Sequence, residues 1–467
     1  MGEDHEALAR DLQRIIKVTA DAVGSRQANE LVERVTGHLE VPLTQALVVT
    51  RNYEDWEHAN IQAGVDAYLA EHGVGTDWFG IAGGQRGHED LVGMLFAARN
   101  HQLYELGAVD YTTATVGPDA AAEVVQLGLV GTAAPDGTPV IVGVRGTNQQ
   151  YGQMYCRLEV IAGERAAATA TRDRIEQLIA EHDVLRGHVL AFGVSEHRGN
   201  ELLTFLPRPA IEPEEVVLPD GVLDAVERHT LGIAEHGERL LAAGQHLKRG
   251  VLLHGPPGTG KTHTVRYLMG RLAGSTVVIL TGSAMRFVSK AATLARRLQP
   301  SVVVLEDVDL IAEDRDHSRG GTPLLFSLLD AMDGVGGDAD VTFLLTTNRA
   351  GDLEKALADR PGRVDLAVEI PLPDAAGRAA LLELYSRGLK VTADLAPIVD
   401  ATEGVTASFV KELLRRATLR SLAANPDAEV VVGDAELGGA LAEMADARNA
   451  LTRSLLGASA QRRSVPG

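Results

Sequence analysis

The sequence predicts an α/β fold, a parallel sheet covered by helices, with an α+β region ahead of it and an all-α segment behind. Three observations lead there. Five short apolar stretches, at 251–254, 277–281, 302–306, 341–346 and 367–370, alternate with helix-patterned segments, the rhythm of parallel strands buried on both faces. The first runs straight into a glycine-rich loop followed by a helical pattern. From Asp374 onward strand patterns stop, and helical spacing covers 374–388, 406–424 and 434–456.

Ahead of this block, helical spacing appears at 5–22, 27–39 and 55–72. Val124–Val130 and Val140–Val144 flank Ala134-Pro135-Asp136-Gly137, a hairpin signal. A strand near Tyr155–Ile161, a helix at 165–182 and strands at 188–194 and 201–206 complete the region. Residues 1–110 therefore read as a mainly helical region and 111–206 as an α+β subdomain. Trp56, Trp78 and Cys156 are expected to pack in cores. Four prolines between Pro207 and Pro219 predict an extended linker over 207–220. The large α/β domain spans 221–373, the helical segment 374–458, and a frayed tail 459–467.

A chain of 467 residues predicts two or three domains, and 45 % hydrophobic residues fit a soluble globular protein. No apolar run approaches the roughly 18 residues of a membrane span, and the acidic start Met1–Glu6 argues against a secretory signal. One cysteine excludes a disulfide framework and a cysteine-based zinc site, so a cytoplasmic protein is expected. A net charge of -20 disfavours nucleic acid as a partner.

The sharpest chemical signal is Val251-Leu252-Leu253-His254-Gly255-Pro256-Pro257-Gly258-Thr259-Gly260-Lys261-Thr262. Its glycines let successive backbone N–H groups face one anion, and the next helix adds its positive end. Lys261 is expected to reach the β- and γ-phosphates and Thr262 to ligate Mg²⁺, so a nucleoside triphosphate is the predicted ligand, contacted from Gly255 to His263. Val302-Val303-Val304-Leu305-Glu306-Asp307-Val308-Asp309 is a second strand with carboxylates at its C-terminal end, the ligand-facing edge of a parallel sheet. Carboxylates there suit holding the Mg²⁺ hydration shell and polarising an attacking water.

With these segments, residues of about 215–450 resemble an AAA-type ATPase of the AAA+ superfamily, an α/β P-loop NTPase with a C-terminal all-α lid. The two motifs above correspond to the family's Walker A and Walker B segments. Leu344–Asn348 is similar to its sensor strand, Arg360-Pro361-Gly362-Arg363-Val364-Asp365 to its arginine-finger segment, and Ile370–Asp374 to the turn into the lid. Leu328–Gly334 resembles the helix end before the sensor strand. The resemblance implies ATP and Mg²⁺ as ligands, Asn348 positioning water, and Arg360 and Arg363 reaching a neighbour's nucleotide in a ring, commonly a hexamer.

The chain departs from the family in three places. The usual Asp-Glu is reversed, so by position Glu306 takes the Mg²⁺ role and Asp307 the general-base role. That order, with Val217–Gly250, is similar to the mitochondrial inner-membrane AAA translocase of a folded iron–sulfur protein. Val405–Phe409 stands where the family carries Gly-Ala-Asp near adenine. Gly282–Val288 is a short version of the pore loop, in which Phe287 with Met285 or Val288 grips a polypeptide or, equally, packs against the following helix.

The resemblance leaves two functional classes open. One is a chaperone-like ring motor acting on a protein client or adaptor recruited by the N-terminal region, and the other a nucleotide-dependent assembly switch. The zinc-protease reading fails, since the His-Glu pairs at His5 and His88 lack the motif's second histidine.

Overall fold

The computed structural model describes residues 29–72, 77–83, 86, 90–101, 103–148, 152–194, 201–309, 324–349, 363–424 and 429–445. The helix expected at 5–22 and the tail at 459–467 lie outside these residues. The chain forms two compact units, one ending at Val184 and one beginning at Leu185.

The first unit is built on an antiparallel sheet. Helix α1 (Glu30–Leu39) starts where Asn29 accepts hydrogen bonds from the backbone N–H groups of Leu31 and Val32, and it buries Leu31, Val35 and Leu39, one per turn. Strand β1 (Leu47–Tyr53), helix α2 (His58–His72), strand β2 (Gly80–Ala82), helix α3 (Leu91–His101) and strand β3 (Glu105–Gly107) follow. Strands β4 (Asp110–Gly117), β5 (Ala120–Ala133), β6 (Pro139–Arg145) and β7 (Cys156–Ala162) and helix α4 (Arg165–Glu181) complete it.

The main sheet runs β1-β7-β6-β5-β4. Ile141 and Ile161 point to a core shared with α1 and α3, while Val142, Val144 and Leu158 point to a second core with α2 and α4. Helices thus cover both faces, which is why β6 is buried at almost every position. The expected hairpin turns at Gly137, where the Gly137 N–H donates to Ala134. Cys156 is fully buried, its thiol pKa pushed up to about 12 by burial, and Trp78 packs against the second core. The boundary expected near residue 110 is absent: β1, from the supposedly helical part, pairs with β7 along its full length.

The second unit contains a seven-stranded sheet in the order β14-β10-β13-β12-β11-β8-β9. Its strands are β8 (Val189–Val194), β9 (Glu201–Leu206), β10 (Arg249–His254), β11 (Thr276–Thr281), β12 (Ser301–Glu306), β13 (Val341–Thr347) and β14 (Leu366–Glu369). The five predicted strands are all present, mutually parallel. Strands β8 and β9, expected in the N-terminal subdomain, instead extend this sheet, β8 pairing in parallel with β11. Alternation marks a strand but not the sheet it joins, and Val-Leu-Ala-Phe-Gly-Val is apolar enough to lie beside a buried strand.

Helices α5 (Val222–Glu235), α6 (Gly237–Ala242), α7 (Lys261–Arg271), α8 (Val288–Arg297) and α9 (Leu324–Asp333) belong to this α/β layer. Behind it, helices α10 (Ala375–Ser386), α11 (Ala396–Ala401), α12 (Ala407–Ala424) and α13 (Asp434–Ala445) surround their own core. This segment is not purely helical, because β15 (Lys390–Val391) pairs with β16 (Val431–Val432). Among the described residues no helix is long and apolar enough to cross a membrane.

The proline-rich stretch is not a free tether. Arg208 donates to the carbonyls of Met269 at 2.6 Å and Leu272 at 3.1 Å, and to those of Gly187 at 3.0 Å and Ser275 at 2.6 Å. Two of these acceptors are at the C-terminal end of α7, where carbonyls lack helical partners and a cation is favoured. A 3₁₀ turn at Pro213–Glu215 then shortens the segment, closed by the Glu215 carboxylate accepting from the Glu212 N–H at 2.9 Å. Arg208→Met is expected to destabilise the chain by about 2 kcal/mol. Chemical denaturation checks this; an unchanged midpoint would mean that the four carbonyls find water equally well.

Candidate active site

Strands β10, β13 and β12 lie side by side and end nearly level: His254 pairs with Thr347, and Leu305 with Leu345. The segments leaving their C-terminal ends therefore meet. The first is the glycine-rich loop. Gly255 has φ +142°, and a Cβ there would sit 2.2 Å from the Ile370 carbonyl oxygen, so no other residue fits. Gly260, at φ +112°, precedes the first turn of α7. The Lys261 ammonium is folded back onto the loop, donating to the carbonyls of Gly255 at 2.9 Å and Pro256 at 2.8 Å. Burial holds its pKa below the usual lysine value, and the charges of Asp307 and Asp309 oppose that shift. Thr259 is buried and donates to the Pro256 carbonyl at 2.9 Å.

The second segment is the acidic turn after β12. Glu306 ends β12, and the Thr262 hydroxyl lies near enough to its carboxylate to favour the charged form, so the two residues expected at Mg²⁺ are neighbours. Burial raises the Glu306 pKa; the Arg266 charge pulls it down, the Asp307 charge adds to the rise, and the nearby Thr262 hydroxyl lowers it. Asp307 has φ +56°, a left-handed conformation that costs a non-glycine residue about 1–3 kcal/mol. It is held there by the third segment. The Asp307 N–H donates to Thr346 Oγ1 at 3.0 Å and the Val308 N–H to the Thr346 carbonyl at 2.9 Å. Asn348 Nδ2 donates to Asp307 Oδ1 at 3.2 Å, so the residue expected as base and the amide expected to position water touch.

Beside the loop lies a cleft of about 230 Å³, lined by Val217, Leu218, Pro219, Thr259, Pro373 and Ala407 among others. Its apolar walls suit a planar base, and Asp220 and Asp374 supply polar edges. Ser408 reaches the loop, its N–H donating to the Gly258 carbonyl at 3.2 Å; a Cβ on Gly258 would lie 3.0 Å from Ser408 Oγ. Val405–Phe409 thus touches the glycine-rich loop directly, without the Gly-Ala-Asp of the family pattern.

Several expected residues stand elsewhere. His263 is exposed, with Nε2 3.0 Å from the Glu215 carbonyl, so it fastens the proline-rich segment. Arg363, expected at the subunit edge, is 5 % exposed and makes a two-pronged ion pair with Asp333 at the end of α9. A guanidinium so engaged does not project toward a neighbour. Arg360, Pro361 and Gly362 lie outside the described residues.

Met285, Phe287 and Val288 are all buried, and the Phe287 ring lies 5.9 Å from that of Phe192 on β8. Packing, rather than exposure toward a pore, is the outcome for this loop, whose outward side chains are Ser283 and Arg286. Three contributors carried no role in the sequence reading: Asp309, Asp333 and Ser408. Only Asp309 carried a local signal, as a third acid two residues beyond Asp307.

Arg363→Ala is expected to lower the unfolding midpoint of the isolated chain by the equivalent of about 1–3 kcal/mol. A residue that acted only on a neighbouring subunit would leave that midpoint where it is, which differential scanning fluorimetry reads directly.

Residues 251–372 match the family described as "ATPase family associated with various cellular activities (AAA)". The chain is 32 % identical over 267 residues to the ATP-dependent zinc metalloprotease FtsH of Mycobacterium tuberculosis, covering 53 % of this chain and 34 % of the relative. It is 34 % identical over 197 residues to the proteasome-activating nucleotidase of Pyrococcus abyssi, covering 39 % and 50 %. A 26S proteasome regulatory subunit 8 homolog of Schizosaccharomyces pombe is 31 % identical over 204 residues, covering 40 % and 50 %. The chain thus spans between a third and a half of the length of these relatives. With the loop, the acidic turn and the asparagine brought to one edge of a parallel sheet, the chain carries an AAA ATPase domain of the AAA+ family.

Proposed function

We propose that this protein binds ATP with Mg²⁺, hydrolyses it in an oligomeric ring of hexamer type, and couples hydrolysis to remodelling, unfolding or translocation of a protein client recruited by its N-terminal unit. The observation that carries this reading is the convergence of Lys261, Thr262, Glu306, Asp307 and Asn348 at one sheet edge. The cradle fits the ligand: a cation satisfied only by its own loop carbonyls is ready for a stronger anionic acceptor, and Thr262 with Glu306 presents the oxygen donors Mg²⁺ prefers.

Lys261 leaves the loop carbonyls for the β- and γ-phosphates, and the α7 N-terminus adds its dipole. Thr262 and Glu306 would hold Mg²⁺, which would supply charge against the phosphates. Asp307 takes the proton from the attacking water as its oxygen bonds to the γ-phosphorus and the bond to the bridging oxygen breaks, giving ADP and phosphate. Asn348 fixes the carboxylate and the water, and the apolar cleft takes the base. Arg360 keeps its sequence-based assignment as the cation offered to a neighbour. A protein client is supported by the relatives named for proteolysis and the proteasome, and a cytoplasmic location by the composition.

A second reading, a nucleotide-dependent assembly switch with little threading, is favoured by the burial of Met285, Phe287 and Val288. ATP hydrolysis per subunit, followed against protein concentration with Mg²⁺ present, tests the first. Specific activity is expected to climb with concentration; a flat, near-zero rate despite tight ATP binding favours the switch. Lys261→Ala is expected to abolish nucleotide binding. Asp307→Asn is expected to bind ATP and retain it unhydrolysed, with Glu306→Gln losing the Mg²⁺ dependence. The opposite pattern would exchange the two carboxylates' roles.

A further inference from the structure

One buried carboxylate of the site has no part in the chemistry above. Asp309 is 8 % exposed. Its Oδ1 accepts the Thr347 hydroxyl at 3.0 Å and the Asn348 backbone N–H at 3.2 Å. The Thr347 oxygen in turn accepts the Arg349 N–H at 3.0 Å, so the turn that carries Asn348 is gripped on both sides. Asn348 then reaches Asp307 through its side chain at 3.2 Å. A closed loop of contacts results, from Asp309 to the Asn348 backbone, through the Asn348 amide to Asp307, and back along the chain to Asp309. Asp307 itself stands in a left-handed conformation, so its carboxylate has a defined direction only while such contacts hold it.

We propose that Asp309 is a positioning residue for ATP hydrolysis: by gripping the Thr347–Asn348 turn, it sets the Asn348 amide against Asp307 and so aims the base. This rests on the reading of Asp307 and Asn348 given above. Asp309 touches neither the reacting atoms nor Lys261 by a hydrogen bond, so its loss misplaces the base and leaves nucleotide binding intact. Misplacement on the order of 1 Å costs about a hundredfold in rate.

The test is steady-state ATP hydrolysis by the full chain, with affinity for a fluorescent ATP analogue measured in parallel, for wild type, Asp309→Ala, Asp309→Asn and Thr347→Val. Asp309→Ala is expected to lower kcat by about tenfold to a hundredfold, with KM and analogue affinity within about twofold of wild type. Asp309→Asn keeps an acceptor oxygen and is expected to recover most of the rate. Thr347→Val removes one of the two bonds at constant volume and is expected to lose kcat severalfold without a change in KM; it decides the matter should the alanine variant not fold.

An unchanged kcat in Asp309→Ala or Thr347→Val overturns the assignment. So does a rate loss matched by an equal loss of affinity, or an asparagine variant as slow as the alanine one. Failure of the underlying reading looks different: Asp307→Asn and Asn348→Ala would then hydrolyse ATP as fast as wild type, and Asp309 would lose its assignment with them.

Discussion

Three parallel strands that end nearly level bring Lys261, Thr262, Glu306, Asp307 and Asn348 to one sheet edge. Strands β10, β13 and β12 are buried over nearly their whole length, so their register is set by packing on both faces. A slip of one residue would turn each side chain to the opposite face and move the strand end by roughly 3.3 Å. That is more than the tolerance of the contact between Asn348 and Asp307. The cost appears inside β13, where two of its three buried threonines, Thr346 and Thr347, stand at the strand's end. Their hydroxyls are not wasted, because each joins the turn after β12. Hydrogen bonding offsets the cost of burying these two hydroxyls, whereas Thr342 Oγ1, at the other end of the strand, is buried without a partner.

What the sequence made legible was local. The five strands announced themselves by apolar runs, and the loop from Gly255 to Thr262 by a pattern whose order of strand, loop and helix is itself the mechanism. What stayed hidden was choice of partner. Nothing near Arg363 says that Asp333, thirty residues earlier, will take its guanidinium. An arginine beside a Pro-Gly turn has the same local appearance whether it faces a neighbour or its own helix end. Phe287 posed the same problem, since the aromatic of a gripping loop and the first core residue of a helix share one spelling. It was resolved by Phe192 on β8, a strand whose membership in this sheet was equally unreadable.

The N-terminal unit shows how much independent structure accompanies the ATPase domain. Its antiparallel sheet is covered on both faces by helices, so it has two cores of its own. Some polar groups are buried with them. Glu159 is 2 % exposed, and burial raises its pKa although the charges of Arg145 and Arg157 pull the other way. A unit with its own packed interior has what it needs to hold its shape by itself.

The last consequence concerns leverage. Helix α7 is a rod of 11 residues, roughly 16 Å long. Its leading end follows the glycine-rich turn, and its trailing end is gripped by Arg208. The chain arriving from β9 therefore has no slack before it meets this rod. A tug on that incoming strand is delivered to the far end of the helix as a push or a twist, and the glycine-rich loop stands at the other end of the same rigid bar. The glycine-rich loop and the chain arriving from β9 share one shaft.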